Sequence, residues 1–168
     1  MQLDELKDIL DKMVAEMRDN LAKTGTNASG RTSASLRVVM TNTGGEIWGR
    51  KYFRGVEQGR AGGRIPRNFT SIIEQWIIDK GLTPSAIPYK RKPSAKWSPK
   101  YTPEERGLRQ MASAIAHTIE KSGTSLYRRG GRKDIFTNVI EENKADILKV
   151  AKEIITTNLY GKYNGTSK

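Results

Sequence analysis

The sequence predicts an α+β fold, a small antiparallel, hairpin-based β-sheet covered by amphipathic helices, with long helices at the amino and carboxyl ends. Two observations lead there. Apolar residues recur at helical spacing near both termini, and a β-branched run broken by paired glycines lies between them. The order reads helix, hairpin, helix, long loop, helix, helix, with no internal repeat.

Leu3, Leu6, Ile9, Leu10, Met13, Val14, Met17 and Leu21 follow at three- and four-residue steps, the stripe of an amphipathic helix. Asp4, Asp8, Asp11 and Glu16 occupy its other face, and Gly25 is the expected stop. Residues 24–35 are rich in Gly, Ser, Thr and Asn and read as a loop. The run 36–41 is β-branched-rich; Gly44-Gly45 interrupts it, and Glu46-Ile47-Trp48 resumes toward Tyr52, Phe53 and Val56, which is hairpin punctuation.

A Gly/Arg loop over 59–66 reads as a flexible turn. Helical spacing returns over 69–80 through Ile72, Ile73, Trp76 and Ile77, with Gly81 as the stop. Pro84, Pro88, Pro93 and Pro99 make 83–101 an extended, Pro/Lys-rich excursion. Thr102-Pro103-Glu104-Glu105 then opens a helix: a Thr cap, Pro in the first turn and Glu three residues on. Its predicted buried stripe is Leu108, Met111, Ala112, Ile115, Ala116 and Ile119, and Gly123 ends it. From about 134 the last stripe runs from Ile135, Phe136, Val139 and Ile140 through Ile147, Leu148, Ala151, Ile154 and Ile155 to Leu159, with Asp134 placed to cap it.

A chain of 168 residues favours a single domain over 1–168, with no room for a second full hydrophobic core. Leu, Ile, Val and Phe total 34 residues, so the core is thin for the charge it must hold together. The absence of cysteine excludes thiolate catalysis, disulfides, zinc ribbons and iron–sulfur clusters. The apolar runs are too short to span a bilayer, and the acidic, amphipathic start is unlike a signal peptide. The expectation is therefore a protein made and kept in a cytoplasm, with no membrane partner and no cofactor.

The net charge of +12 is concentrated. Residues 1–22 carry −3 and 134–168 carry 0, whereas 23–133 hold 22 bases against seven acids. Such a field attracts nucleic-acid phosphates or acidic protein surfaces. Arg50, Lys51 and Arg54 flank Tyr52 and Phe53, and Arg60, Arg64 and Arg67 follow in the Gly-rich loop. Lys90, Arg91, Lys92, Lys96 and Lys100 accompany Tyr89, Trp97 and Tyr101; Arg128, Arg129, Arg132 and Lys133 cluster by Tyr127. These cations are candidate contacts to DNA or an acidic partner, and Tyr89, Trp97, Tyr101 and Tyr127 are candidate subunit-interface residues. About half of Trp48, Tyr52 and Phe53 are expected to be sheet core instead. No helix-turn-helix, zinc-finger or RNA-recognition signature is present, which argues against sequence-specific readout.

Catalytic and metal-ligating constellations are not found. His117, the lone histidine, sits among Ala114, Ile115, Ala116 and Ile119 and reads as a buried or interfacial residue. Ser122-Gly123-Thr124-Ser125 lacks the nucleophile-elbow pattern, and Gly59-Arg60-Ala61-Gly62-Gly63 lacks the Walker ending and the dinucleotide spacing. Asp134 with Glu142-x-Lys144 superficially matches the acid, Glu-x-Lys triad of metal-dependent nucleases. Two helical positions apart, however, Glu142 and Lys144 are separated by about 200° and point to opposite faces.

Four patterns occur in order: Gly30-Arg31-Thr32-x-x-Ser35-Leu36, Val56-Glu57-x-Gly59, Trp76-Ile77-x-x-Lys80-Gly81-Leu82, and Ala112-x-x-Ile115-Ala116-x-x-Ile119-x-x-x-Gly123-Thr124. Their order and spacing, over about 30–160, resemble the small neck or tail-completion proteins of long-tailed bacteriophages, which join the DNA-filled head to the tail. The departure is 83–101, longer and more basic than the family pattern. The resemblance implies a virion structural protein and not an enzyme: a homo-oligomeric ring around the DNA channel. Its implied neighbours are a portal or head-closure layer and the tail tube or tail terminator, with non-specific duplex DNA in the lumen. It would be made in the host bacterial cytoplasm. The alternative from composition is a free, non-sequence-specific nucleic-acid-binding protein of packaging or nucleoid type.

Overall fold

The first apolar stripe becomes α1, Gln2–Lys23, in a computed structural model that describes residues 2–90, 94 and 98–164. Leu6, Leu10, Met13, Val14, Met17 and Leu21 are buried along it, the face that the spacing predicts. A short helix, α2 (Arg31–Ala34), leads into β1 (Arg37–Thr41), which pairs antiparallel with β2 (Gly44–Trp48). Arg18 on α1 donates to the carbonyls of Ser33 and Leu36, at 3.3 and 2.6 Å, and ties this entry to the helix.

The register sets Arg37 opposite Trp48 and Thr41 opposite Gly44, so Asn42-Thr43 makes the turn and Gly44-Gly45 begins β2. The sequence reading had β2 continuing toward Tyr52, Phe53 and Val56. It ends at Trp48, and the chain turns into a one-turn helix, α3 (Gly55–Gln58). Trp48 and Tyr52 are exposed, whereas Phe53 packs on Phe136 with ring centroids 5.2 Å apart.

The chain divides into two compact units: Met1–Glu57 with Arg132–Lys168, and Gln58–Gly131. In the first, α1 packs on the hairpin and on α7 (Thr137–Asn164). Its core joins the buried face of α1 to Leu36, Ile135, Val139, Val150 and Ile154. Ile140, Leu148 and Ile155 of the predicted last stripe are exposed, because ten apolar positions span more of a helix than one packing face covers.

In the second unit, α4 (Phe69–Asp79) packs on α5 (Pro103–Ser122), followed by one-turn α6 (Ser125–Arg128). The Thr102 capping box forms as the sequence predicts: Thr102 Oγ1 accepts from the Glu105 N–H, and the Glu105 carboxylate accepts from the Thr102 N–H. Phe69, Ile73, Ile77, Ala112 and Ala116 are the buried cluster, the two alanines letting the helices approach. Of the apolar residues that set the helical spacing here, Ile73 and Ile77 are buried and Ile72 and Trp76 are exposed. The fold is α+β, a two-stranded sheet with amphipathic helices, and two separate hydrophobic clusters replace the single core that length suggested.

Candidate polyanion-binding surface

Both units are fixed by contacts that join distant parts of the sequence, and these decide which cations remain free. In the first unit the determinant is Glu57, whose side chain is only 2% exposed. Its Oε1 accepts from the N–H groups of Ile135, Phe136 and Thr137, at 2.9, 2.7 and 3.0 Å, and its Oε2 accepts from the Thr137 hydroxyl. Its carbonyl accepts from the Arg132 N–H at 2.8 Å. A carboxylate here satisfies the orphan donors at the start of α7 and complements the helix dipole.

Asp134 was the expected cap and does not serve as one. It is exposed and held by Arg132, whose Nη2 donates to Oδ2 at 2.6 Å. The Arg132 hydrogen bond keeps the Asp134 carboxyl below the usual aspartate range, and Asp134 in turn raises the Arg132 guanidinium. Arg132, a candidate DNA contact, is therefore occupied by an internal ion pair.

In the second unit the Gly/Arg loop is a packed seam, not a flexible turn. The Arg60 N–H donates to Thr124 Oγ1 at 3.0 Å, the Thr124 N–H returns to the Arg60 carbonyl at 2.9 Å, and the Gly63 N–H donates to the Glu120 carbonyl at 2.7 Å. Gly59 has a φ of +69°, and a Cβ there would stand 2.5 Å from the Tyr127 nitrogen. At Gly62 a Cβ would stand 3.1 Å from both the Gly123 nitrogen and the Lys121 carbonyl oxygen. Glycine is required because backbone lies directly on backbone.

The seam joins two arginine clusters about sixty residues apart in sequence. Arg60 is committed to it: its guanidinium donates to the Arg64 carbonyl at 2.8 Å and lies 5.1 Å from the Phe69 ring centre. Arg64, Arg67, Arg128 and Arg129 are exposed and have no ion pair among the described residues. Tyr127, exposed, stands beside the last two.

Near the start of α5 the described flanks of the excursion are pinned down. Arg106 donates to the Ile87 and Pro88 carbonyls, each at 3.0 Å, and its guanidinium lies 4.0 Å from the Tyr89 ring centre. Arg109 lies 4.5 Å from the Tyr101 ring centre, and the Tyr89 hydroxyl donates to the Tyr101 carbonyl at 3.0 Å. Tyr89 and Tyr101, proposed from sequence as subunit contacts, are thus half-buried and engaged within their own unit. Sequence reasoning missed Arg106 and Arg109; arginines three and six residues past the start of a helix that follows a tyrosine-bearing loop were the available signal. Lys90 and Lys100 are exposed, while Arg91, Lys92, Lys96 and Trp97 lie outside the described residues. Arg50, Lys51 and Arg54 are exposed around the turn in the first unit.

His117, expected buried or interfacial, is exposed on α5. Thr124 caps α6, accepting from the Tyr127 N–H at 3.3 Å. Lys144 lies 3.9 Å from Glu141, while Asp134 and Glu142 line a groove of about 310 Å³ with Glu16, Asp19 and Lys23. Among the described residues no group of three or more His, Asp or Glu side chains is placed to hold a metal ion, and no helix is long and apolar enough to cross a membrane. Comparison with known proteins finds no matching family model, curated sequence or solved structure.

Proposed function

We propose that the chain is a non-catalytic structural subunit of the head–tail joint of a long-tailed bacteriophage, acting as one member of a homo-oligomeric ring around the DNA channel. The observation that carries this reading is that residues bearing the family resemblance do structural work in this fold. Glu57 caps α7, Gly59 and Gly123 form the seam, Gly81 follows α4 at a φ of +65°, and Ala112 and Ala116 fill the second core. The ring also suits the energetics: a five-residue core beside exposed Ile72 and Trp76 gains from surface buried against neighbours.

The test is mass and location. Light scattering coupled to size exclusion, alone and with a portal or head-closure ring, is expected to give a closed multimer, and a protein inventory of purified particles is expected to contain the chain. A monomer under both conditions, absent from particles, overturns the reading. It would favour the alternative of a free nucleic-acid-binding protein, which the cationic second unit also supports.

A further inference from the structure

We infer that the seam of the second unit is a binding site for the phosphate backbone of duplex DNA, with Arg64, Arg128 and Arg129 making the contacts and Arg60 positioning the loop. The inference rests on the ring reading only for how DNA comes to lie near the site; the contact itself needs no ring.

Segments 59–67 and 119–131 contain six Lys or Arg and one acid, Glu120. No sequence-local feature brings them together; the backbone bonds between Arg60 and Thr124 and between Gly63 and Glu120 do. The loop runs along the end of α5 with Gly59 beside Tyr127 and Gly63 beside Glu120. Arg64 therefore lies toward one end of the seam and Arg128 and Arg129 toward the other. Five residues of extended chain reach at most about 18 Å. Along a duplex that is about five base-pair steps at ~3.4 Å each. The three guanidiniums can thus address several phosphates of one short stretch of backbone.

Two features favour DNA over an acidic protein. A protein interface draws its energy from a buried apolar or aromatic centre; here the loop between the arginines offers only exposed Ala61, Gly62 and Gly63, and Tyr127 is a single exposed ring at one end of the seam. The small side chains of Ala61, Gly62 and Gly63 leave the loop backbone open to a phosphate chain. Arginine also presents a planar fork of donors that matches phosphate oxygens, and these arginines have no acidic partner to surrender first. The backbone that carries them is already fixed, so contact costs side-chain freedom but little backbone freedom.

The experiment measures binding of a 25-base-pair duplex by fluorescence anisotropy across a salt series, with the oligomeric mass of every sample read in parallel. The slope of log K against log salt counts phosphate contacts at about 0.9 each. The variant R64Q/R128Q/R129Q is expected to reduce that slope by about 2–3 per subunit engaged. R64K/R128K/R129K is expected to restore it, which shows that the glutamine form lost charge and not fold. K12Q/K149Q/K152Q, three exposed lysines of the other unit, is expected to leave the slope unchanged.

An unchanged slope in the first variant overturns the site, as does an equal loss in the third, which would mean diffuse attraction. So does a first variant that changes oligomeric mass without changing the slope, since the seam would then face protein. A monomeric wild type that still shows the selective slope loss supports the site while removing the ring. A ring whose slope ignores the seam leaves the ring standing and removes the site.

Discussion

The two units of the chain are held together by different means. Among the described residues the first buries eleven hydrophobic side chains in one cluster, spread over α1, Leu36 and the α7 region, and the second buries five. The first carries 16 bases against 13 acids, whereas the second carries 14 against five. The second makes up part of the deficit with backbone-on-backbone contact at the glycine seam and with arginines stacked on tyrosines at the start of α5. A unit built that way needs few large apolar residues and leaves much of its charge uncompensated. The difference is one of cohesion: the first unit is held by hydrophobic burial, the second largely by close backbone contact and cation–ring stacking.

The largest effect that would break this comparison comes from equal cavities in the two cores. Leu21 and Ile77 are each 0% exposed. Leu21→Ala and Ile77→Ala each remove a buried side chain at a cost of about 2–5 kcal/mol. In the first unit the loss is shared by a large cluster, and hydrogen exchange is expected to quicken moderately throughout. In the second it removes one of five anchors, and peptides from 69–79 and 103–122 are expected to lose protection while those of α1 keep theirs. If Ile77→Ala loosened α1 equally, the chain would be one cooperative block and the division would fail.

The next effect concerns the carboxylate at the start of α7. Glu57→Ala leaves three N–H groups and a hydroxyl without their acceptor and removes the anion at the helix N-terminus. The expected loss is about 2–4 kcal/mol, read from urea unfolding. Glu57→Gln keeps an oxygen but loses the charge and brings two donors against N–H groups, so it should recover only part. Full stability in the alanine variant would show that α7 needs no long-range cap.

How much of this was legible in the sequence follows the range of the interactions. The buried face of α1 and the capping box at Thr102 are written within a few residues, and both were predicted. The cap of α7 was misassigned because Asp134 stands at the right local position, whereas the working carboxylate lies 78 residues before Ile135. The same holds for the seam: Gly59 and Gly62 read as flexibility until Tyr127 is placed against the first and Gly123 against the second. Charge composition located the cationic middle of the chain. It could not separate the arginines spent inside, Arg60, Arg106 and Arg132, from those left free, because that depends on contacts made after folding.

A smaller effect sharpens the account of the seam. Gly59 and Gly81 have nearly the same φ, +69° and +65°, but a Cβ at Gly81 would meet nothing within 4 Å. Gly81→Ala therefore reports backbone strain alone, about 1 kcal/mol. Gly59→Ala adds collision with the Tyr127 backbone and is expected to cost about 2–3 kcal/mol. Under the proposed DNA contact it also weakens duplex binding, since Arg64 and Arg128 are held in register through that seam. Equal cost at the two sites would mean that the loop yields and that its packing is incidental.

The smallest effect is electrostatic and belongs to the unit richer in acids. Asp134 is exposed, and Arg132 holds its carboxyl below the ordinary value, so the folded state binds its proton less readily than the unfolded chain. The pair's stabilisation is therefore fully present above the unfolded aspartate value near 4 and is lost as pH falls through the lower folded value. An exposed pair of this kind contributes about 0.2–1 kcal/mol. Asp134→Asn is expected to lower stability by that amount at pH 7 in low salt, with the difference shrinking as pH falls below the ordinary aspartate value and in molar salt. A loss of several kcal/mol that persisted in acid would mean that Asp134 shares the capping of α7 with Glu57, and that the buried carboxylate does not act alone.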